Sequence, residues 1–191
     1  VFDLLVAFRA GAAVVVIPES LSIFPVRVAQ LIVKQRITVW NSVPSALVQL
    51  AGVRNLGAHD FSHLRLIAFA GEVFPLKFLR LLRTAIPSAR YCNMYGQTEA
   101  NSSMYYWVDQ LPEDSTGSLP IGRALPNFEV FALKDGGQLV CTPGEEGELY
   151  VRASTVASGY LGNPEKTAAA FVLNPLRPET NERVYRTGDL V

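Results

Sequence analysis

The sequence predicts an α/β fold: a parallel sheet covered by helices, followed by a smaller β-rich, barrel-like part. Three observations carry that prediction. Strand-length apolar runs alternate with segments of three-to-four periodicity over residues 11–94, the rhythm of a helix-covered parallel sheet. After Trp107 the texture changes, and Gln110 to Gly117 reads as a polar, proline-containing link. Beyond the link, short strands are separated by turn residues. The expected parts are therefore 1–110, an α/β subdomain incomplete at its N-terminus, and 118–191, a β-rich subdomain truncated at its C-terminus.

In chain order, Ala12 to Ile17 is a continuous, largely β-branched run, as expected of a strand buried on both faces. Pro25 to Arg36 reads as a helix, with Val28, Leu31, Ile32 and Gln35 at helical spacing. Ile37 to Asn41 returns to strand character, and Pro44-Ser45 opens a short helix over Leu47, Val48 and Leu50. Leu64 to Phe69 is the next strand, broken by Gly71. Pro75 then starts a helix with Phe78, Leu81 and Leu82 on one face. Arg90 to Met94 is the last strand of this part. In the second part, Glu129 to Lys134 and Gln138 to Cys141 read as strands around an Asp135-Gly136-Gly137 hairpin turn. Thr142 to Gly147 turns the chain into a strand at Glu148 to Arg152. Asn163 is suited to cap a short helix with Pro164 at its first position.

Composition excludes several classes. With 49% hydrophobic and 18% charged residues, a chain of 191 residues is neither disordered nor collagenous. Its 17 basic and 17 acidic residues give zero net charge and recommend neither nucleic acid nor an anionic membrane as partner. The longest apolar run, Ala10 to Pro18, is far short of the ~20 residues of a membrane span. No signal-peptide pattern opens the chain. Cys92 and Cys141 stand apart without ligand spacing, as free thiols of a reducing, cytoplasmic compartment would. His59 and His63 have no third ligand near them, so the pair does not read as a metal site.

In a parallel sheet, ligands bind beyond the carboxyl ends of the strands. Asn41, the segment Ala68 to Glu72 and the segment Asn93 to Glu99 all fall at such ends. The last of these, Asn93-Met94-Tyr95-Gly96-Gln97-Thr98-Glu99, suits a nucleotide. Tyr95 offers a ring to a purine, and Gly96 lets the backbone approach closely. Thr98 offers a hydroxyl to a phosphate oxygen, and Glu99 offers a carboxylate to Mg²⁺. Alone, the stretch also fits a polar loop after a strand, with Tyr95 as packing.

Four stretches in this order decide between those readings: Gly71-Glu72, Asn93 to Glu99, Gly147 to Arg152 running on to Gly159-Tyr160-Leu161, and Tyr185 to Leu190. Their order and spacing resemble the adenylate-forming (AMP-binding) superfamily. The likeness is greatest to adenylation domains of nonribosomal peptide synthetases and to stand-alone amino-acid carrier-protein ligases, and it covers essentially the whole chain. The resemblance implies ATP- and Mg²⁺-dependent activation of a small carboxylic acid, here an amino acid, as acyl-AMP. Transfer to the phosphopantetheine thiol of an acyl or peptidyl carrier protein would follow. Coenzyme A is the acceptor in an acyl- or aryl-CoA ligase, the nearest alternative. A non-catalytic nucleotide-binding remnant is the alternative from another class.

Carried over by position, Tyr95 resembles the adenine-stacking tyrosine, with Asn93 near the exocyclic amine. Gly71, Glu72 and Val73 resemble the segment along the other side of the adenine. Thr98 resembles the phosphate-contacting threonine, Glu99 the Mg²⁺ carboxylate and Asp189 the aspartate on the ribose hydroxyls. An Asx turn closing Thr187-Gly188 is the plainer reading of Asp189. The resemblance places Phe2, Asn41, Ala68, Ala70, Met94, Ser102 and Ser103 around the acyl side chain, implying a modest side chain that could carry one hydrogen-bonding group; core packing is the plainer reading of each. Gln97 stands where the family usually has proline, and Ala157-Ser158 where an alanine-arginine pair is commoner. The phosphate loop and the aspartate for the substrate amino group are expected upstream of Val1, and Asp3 is not that aspartate. The hinge and the catalytic lysine are expected beyond Val191. The chain alone is therefore expected to be inactive, marginally stable and prone to self-association through unpaired sheet edges.

Overall fold

The computed structural model describes residues 2–112 and 117–191. It divides into two compact units, one of residues 1–94 and 106–121, the other of residues 95–105 and 122–191. The middle of the expected link, Glu113 to Thr116, lies outside the described residues.

The first unit opens with a π-helical turn at Phe2–Val6 and three helices: α1 (Ala7–Arg9), α2 (Glu19–Ser22) and α3 (Pro25–Lys34). Then β1 (Val39–Ser42), α4 (Pro44–Ala51), β2 (Leu66–Ala70), α5 (Leu76–Ala85) and β3 (Arg90–Gln97) alternate as the periodicity predicts. Pro25 and Pro44 each stand at the first position of their helix, where the missing N–H costs nothing. Helix α3 stops at Lys34 because Arg36 takes a left-handed conformation, φ 51°. Strands β1, β2 and β3 are parallel, with Val39 opposite Leu66 and Leu66 opposite Arg90. Ile67 and Phe69 of β2 turn to a core with Ile32 of α3, Leu47 and Leu50 of α4 and Leu79 and Leu82 of α5, each at most 3% exposed.

One expectation fails here. Residues 12–17 are not a strand but irregular chain, with Val16 79% exposed. A β-branched run becomes a strand only when a neighbour supplies its ladder hydrogen bonds, and among the described residues none pairs with it.

The mixed sheet has the strand order β1-β2-β3-β4-β5, with β4 (Asn101–Trp107) and β5 (Arg123–Ala124) antiparallel. In the second unit, β6 (Glu129–Leu133), β7 (Glu148–Arg152), α6 (Pro164–Ala170), β8 (Phe171–Leu173) and β9 (Arg183–Leu190) follow. The four strands form an antiparallel sheet of order β6-β7-β9-β8. It is open, not the closed barrel that the many short strands suggest. Val151, Phe171 and Tyr185 are its buried centre. Asn163 caps α6, its Oδ1 accepting from the Lys166 N–H at 3.0 Å.

The hairpin turn forms as expected, with Gly136 and Gly137 at φ 90° and 83°. Gln138 to Cys141 does not become a strand, however, and makes a single bridge, Leu133 to Leu139. Just beyond it Pro143 has no N–H to give a ladder, and Glu145 holds the chain in a turn by accepting from Thr142 N and Lys134 Nζ.

Candidate active site

Register decides what the first unit gathers. Successive residues of a strand face opposite sides, so with Ile67 and Phe69 in the core, Ala68 and Ala70 face away from it. Asn41 lies opposite Ala68, and Met94 opposite Ala70. Four of the expected acyl-pocket residues, Asn41, Ala68, Ala70 and Met94, therefore share one face of the sheet. Cys92 joins them opposite Ala68, 6% exposed, with burial holding its thiol above the usual range. Asn41 Nδ2 donates to Asp3 Oδ2 at 3.1 Å, and both line a hollow of about 760 Å³ with Leu31, Trp40 and other apolar residues. The side chain of Phe2 lies outside the described residues.

The loop after β2 turns at Gly71, φ 91°, a conformation that favours glycine. Glu72 then reaches the start of α4, its carboxylate accepting from Ser45 N at 2.9 Å and Ser45 Oγ at 3.0 Å. An acidic group suits the positive end of a helix. Val73 is 75% exposed. Asn93 Nδ2 donates to the carbonyl of Pro120 at 2.9 Å.

The second unit holds Tyr95, Gly96, Thr98, Glu99, Ser102, Ser103 and Asp189. Gly96 is needed here for space. A Cβ on it would lie 2.2 Å from the Asn101 carbonyl oxygen and 2.6 Å from Ser102 Cα. The glycine thus lets β3 close on β4, with Thr98 and Glu99 in the turn between them. Ser102 and Ser103 alternate faces on β4. Ser103 is fully buried and donates from Oγ to the Tyr95 carbonyl at 3.4 Å.

A bulge in β9 sets Asp189. Tyr150 lies opposite Arg186 and Glu148 opposite Leu190, so three residues of β9, Thr187 to Asp189, face the single Leu149 of β7. Such bulges bend a strand and re-aim its side chains. Gly188 supplies the left-handed turn at φ 78°. Thr187 Oγ1 donates to the Leu149 carbonyl at 2.8 Å and accepts from the Asp189 N–H at 3.0 Å, and Glu148 accepts from Gly188 N at 3.1 Å. Thr187 therefore closes the turn, and the Asp189 carboxylate is free to point elsewhere.

It meets Tyr95 and Gln97. The Tyr95 hydroxyl donates to Asp189 Oδ2 at 2.5 Å, and Gln97 Nε2 lies 2.7 Å from the same oxygen and 2.5 Å from the Tyr95 hydroxyl. Burial, then the bond to Asp189, pushes the Tyr95 phenol up to about 12, so it remains a donor at neutral pH. Glu99 has its own support: the Tyr160 hydroxyl donates to Oε1 at 2.7 Å, and the Glu99 carbonyl accepts from Ala157 N at 2.7 Å. The carboxylate bond, with burial second, holds the Tyr160 phenol far above its ordinary value. Gly159 before it is at φ 146°, and a Cβ there would meet Thr167 Cγ2 at 2.4 Å. Gln97, Tyr160 and Cys92 were not among the expected site residues. The sequence signals for the first two were the glutamine in a proline's place and the Gly159-Tyr160 pair.

Residues 1–161 match the family described as AMP-binding enzyme. The chain is 35% identical over 191 residues to an L-proline–L-prolyl-carrier protein ligase of Pseudomonas fluorescens (strain Pf-5), covering all of this chain and 35% of the relative. It is 38% identical over 154 residues to a D-alanine–D-alanyl carrier protein ligase of Lacticaseibacillus rhamnosus, covering 80% of this chain and 29% of the relative. It therefore spans about a third of the length of these curated relatives. Among solved structures, CmiS6 superposes with a TM-score of 0.89 at 37% identity, over 96% of this chain and 44% of that one. No helix among the described residues is long and apolar enough to cross a membrane. On the match over residues 1–161, the chain belongs to the AMP-binding enzyme family.

Proposed function

We propose that the protein containing this chain is a cytoplasmic ligase that activates a small amino acid with ATP and transfers it to a carrier protein. The amino-acid carboxylate attacks the α-phosphorus of ATP, giving aminoacyl-AMP and pyrophosphate. The phosphopantetheine thiol of the carrier protein then attacks the acyl carbon and releases AMP. No acyl-enzyme bond is needed, so positioning and charge neutralisation supply the rate. The observation that carries the reading is the Asp189 carboxylate, lifted on the β9 bulge and held beside Tyr95. A carboxylate with acceptor oxygens suits the two hydroxyls of a ribose, and Tyr95 suits the adenine ring.

Within the first unit, Gly71, Glu72, Val73 and Asn93 are assigned to the nucleobase. Asn41, Ala68, Ala70 and Met94 are assigned to the acyl side chain, as are Phe2 and Ser102; Ser103, fully buried on the other face of β4 against the Tyr95 carbonyl, is assigned to packing. Ala68 and Ala70 are small, which suits a substrate of modest size. The carrier-protein ligases of proline and D-alanine among the relatives support the same class. Thr98 is assigned to phosphate. A hard-oxygen pair, the exposed Thr98 hydroxyl and the Glu99 carboxylate, fits Mg²⁺, which takes one or two carboxylates and completes its shell with phosphate and water. When bound, Mg²⁺ supplies charge neutralisation on the phosphates; Tyr160 orients the carboxylate that holds it.

The test is amino-acid-dependent ATP–pyrophosphate exchange on the full-length protein. Exchange with one small amino acid, abolished in Glu99→Ala and Asp189→Ala, is expected. Exchange with fatty or aryl acids and coenzyme A only would make it an acyl- or aryl-CoA ligase. Silence with every acid, alongside retained nucleotide binding, would make it a non-catalytic remnant.

A further inference from the structure

Asp189 has two oxygens, and the protein uses them unequally. Oδ2 receives both the Tyr95 hydroxyl and Gln97 Nε2, which fills its two lone-pair directions. Asp189 itself is exposed. Gln97 makes this contact at a cost: its own Oε1 is buried without a hydrogen-bond partner. Buried polar atoms are rarely left so. A side chain kept only to fill space would do better without an amide, so the donor end is what the position uses.

We propose that Gln97 is a positioning residue. With Tyr95 it saturates Oδ2 and fixes the carboxylate plane, reserving Oδ1 for the hydroxyls of a cis-diol, the ribose of the nucleotide. The inference rests on the reading of Asp189 as the ribose carboxylate. It assigns nucleotide recognition a part that Asp189 alone would perform less well, since a carboxylate free to rotate loses orientation each time it binds.

The experiment compares ATP with 2′,3′-dideoxy-ATP by calorimetry on the full-length protein, unsubstituted and as Gln97→Met, which keeps the length and removes the donor. The unsubstituted protein is expected to prefer ATP. Gln97→Met is expected to lose about tenfold in ATP affinity, the order expected for one hydrogen bond to a charged group, and to leave dideoxy-ATP within about twofold. Gln97→Leu, uncharged and without the amide donor, is the second variant and is expected to lose the same preference. Equal weakening for both nucleotides would show a merely structural glutamine and overturn the proposal. Tighter ATP binding in either variant would show a plug instead, and overturn it too. If the unsubstituted protein does not distinguish the two nucleotides, the ribose reading of Asp189 fails first and the proposal with it.

Discussion

The bond between Tyr160 and Glu99 joins residues 61 apart in sequence and is the sharpest test of how the site is supported. Tyr160→Phe removes one hydroxyl, which bonds Glu99 and also meets the Tyr185 hydroxyl. The ring keeps its edge-on packing against Phe171, with centroids 5.4 Å apart, and Gly159 keeps its place against Thr167. A hydrogen bond to a charged group contributes about 1.5–3 kcal/mol, and the lower end applies because both side chains are half-buried and water can replace the lost donor. About 1.4 kcal/mol is a factor of ten in rate. Tyr160→Phe is therefore expected to lower kcat/KM of pyrophosphate exchange about tenfold and to raise the Mg²⁺ concentration for half-maximal rate, while the melting temperature moves by a few degrees at most. Exchange kinetics across a Mg²⁺ titration, with Glu99→Ala as the limit, measure this. Unchanged kcat/KM and Mg²⁺ dependence in Tyr160→Phe would refute the claim that Tyr160 orients Glu99.

Three further outcomes follow from the geometry. Gly96→Ala sets a Cβ against backbone atoms of Asn101 and Ser102 that cannot swing aside, so it is expected to destabilise by about 3 kcal/mol in denaturant melts. Gly188→Ala meets no atom within 4 Å; only its φ of 78° opposes it, and the expected loss is smaller, about 1 kcal/mol, with weakened nucleotide affinity as Asp189 shifts. An equal loss for the two glycines would show that space and backbone angle had been misassigned. The third concerns alkali. The Tyr95 phenol titrates at about 12 when folded and near ~10 when unfolded. Its raised value means the folded state holds the proton more tightly. Its contribution is thus full below pH ~10 and is lost as pH rises through about 12. Tyr95→Phe is expected to flatten that part of the stability-versus-pH curve, and an unchanged slope would count against a phenol held by burial first and by the bond to Asp189 second.

Elements whose cause is local were legible in the chain alone. The alternation from Pro25 to Met94, the Asn163 cap and the Gly136-Gly137 turn depend on residues within a turn or two of one another. The four collinear motifs pointed to the family by their order along the chain, which needs no third dimension. Tertiary structure decided everything that depends on a partner far away in sequence. Residues 12–17 have strand composition, yet composition cannot supply a neighbouring strand. Parallel register, not spacing, put Asn41, Ala68, Cys92, Ala70 and Met94 on one face, because one residue of slip would turn every side chain over. The bond from Tyr95 to Asp189 spans 94 positions, and the bulge that presents the carboxylate exists only where β9 meets β7. Gln97 in the sequence was a polar residue in a proline's place. Only the fold, by burying its oxygen and setting its nitrogen against a carboxylate, gave it a partner to hold.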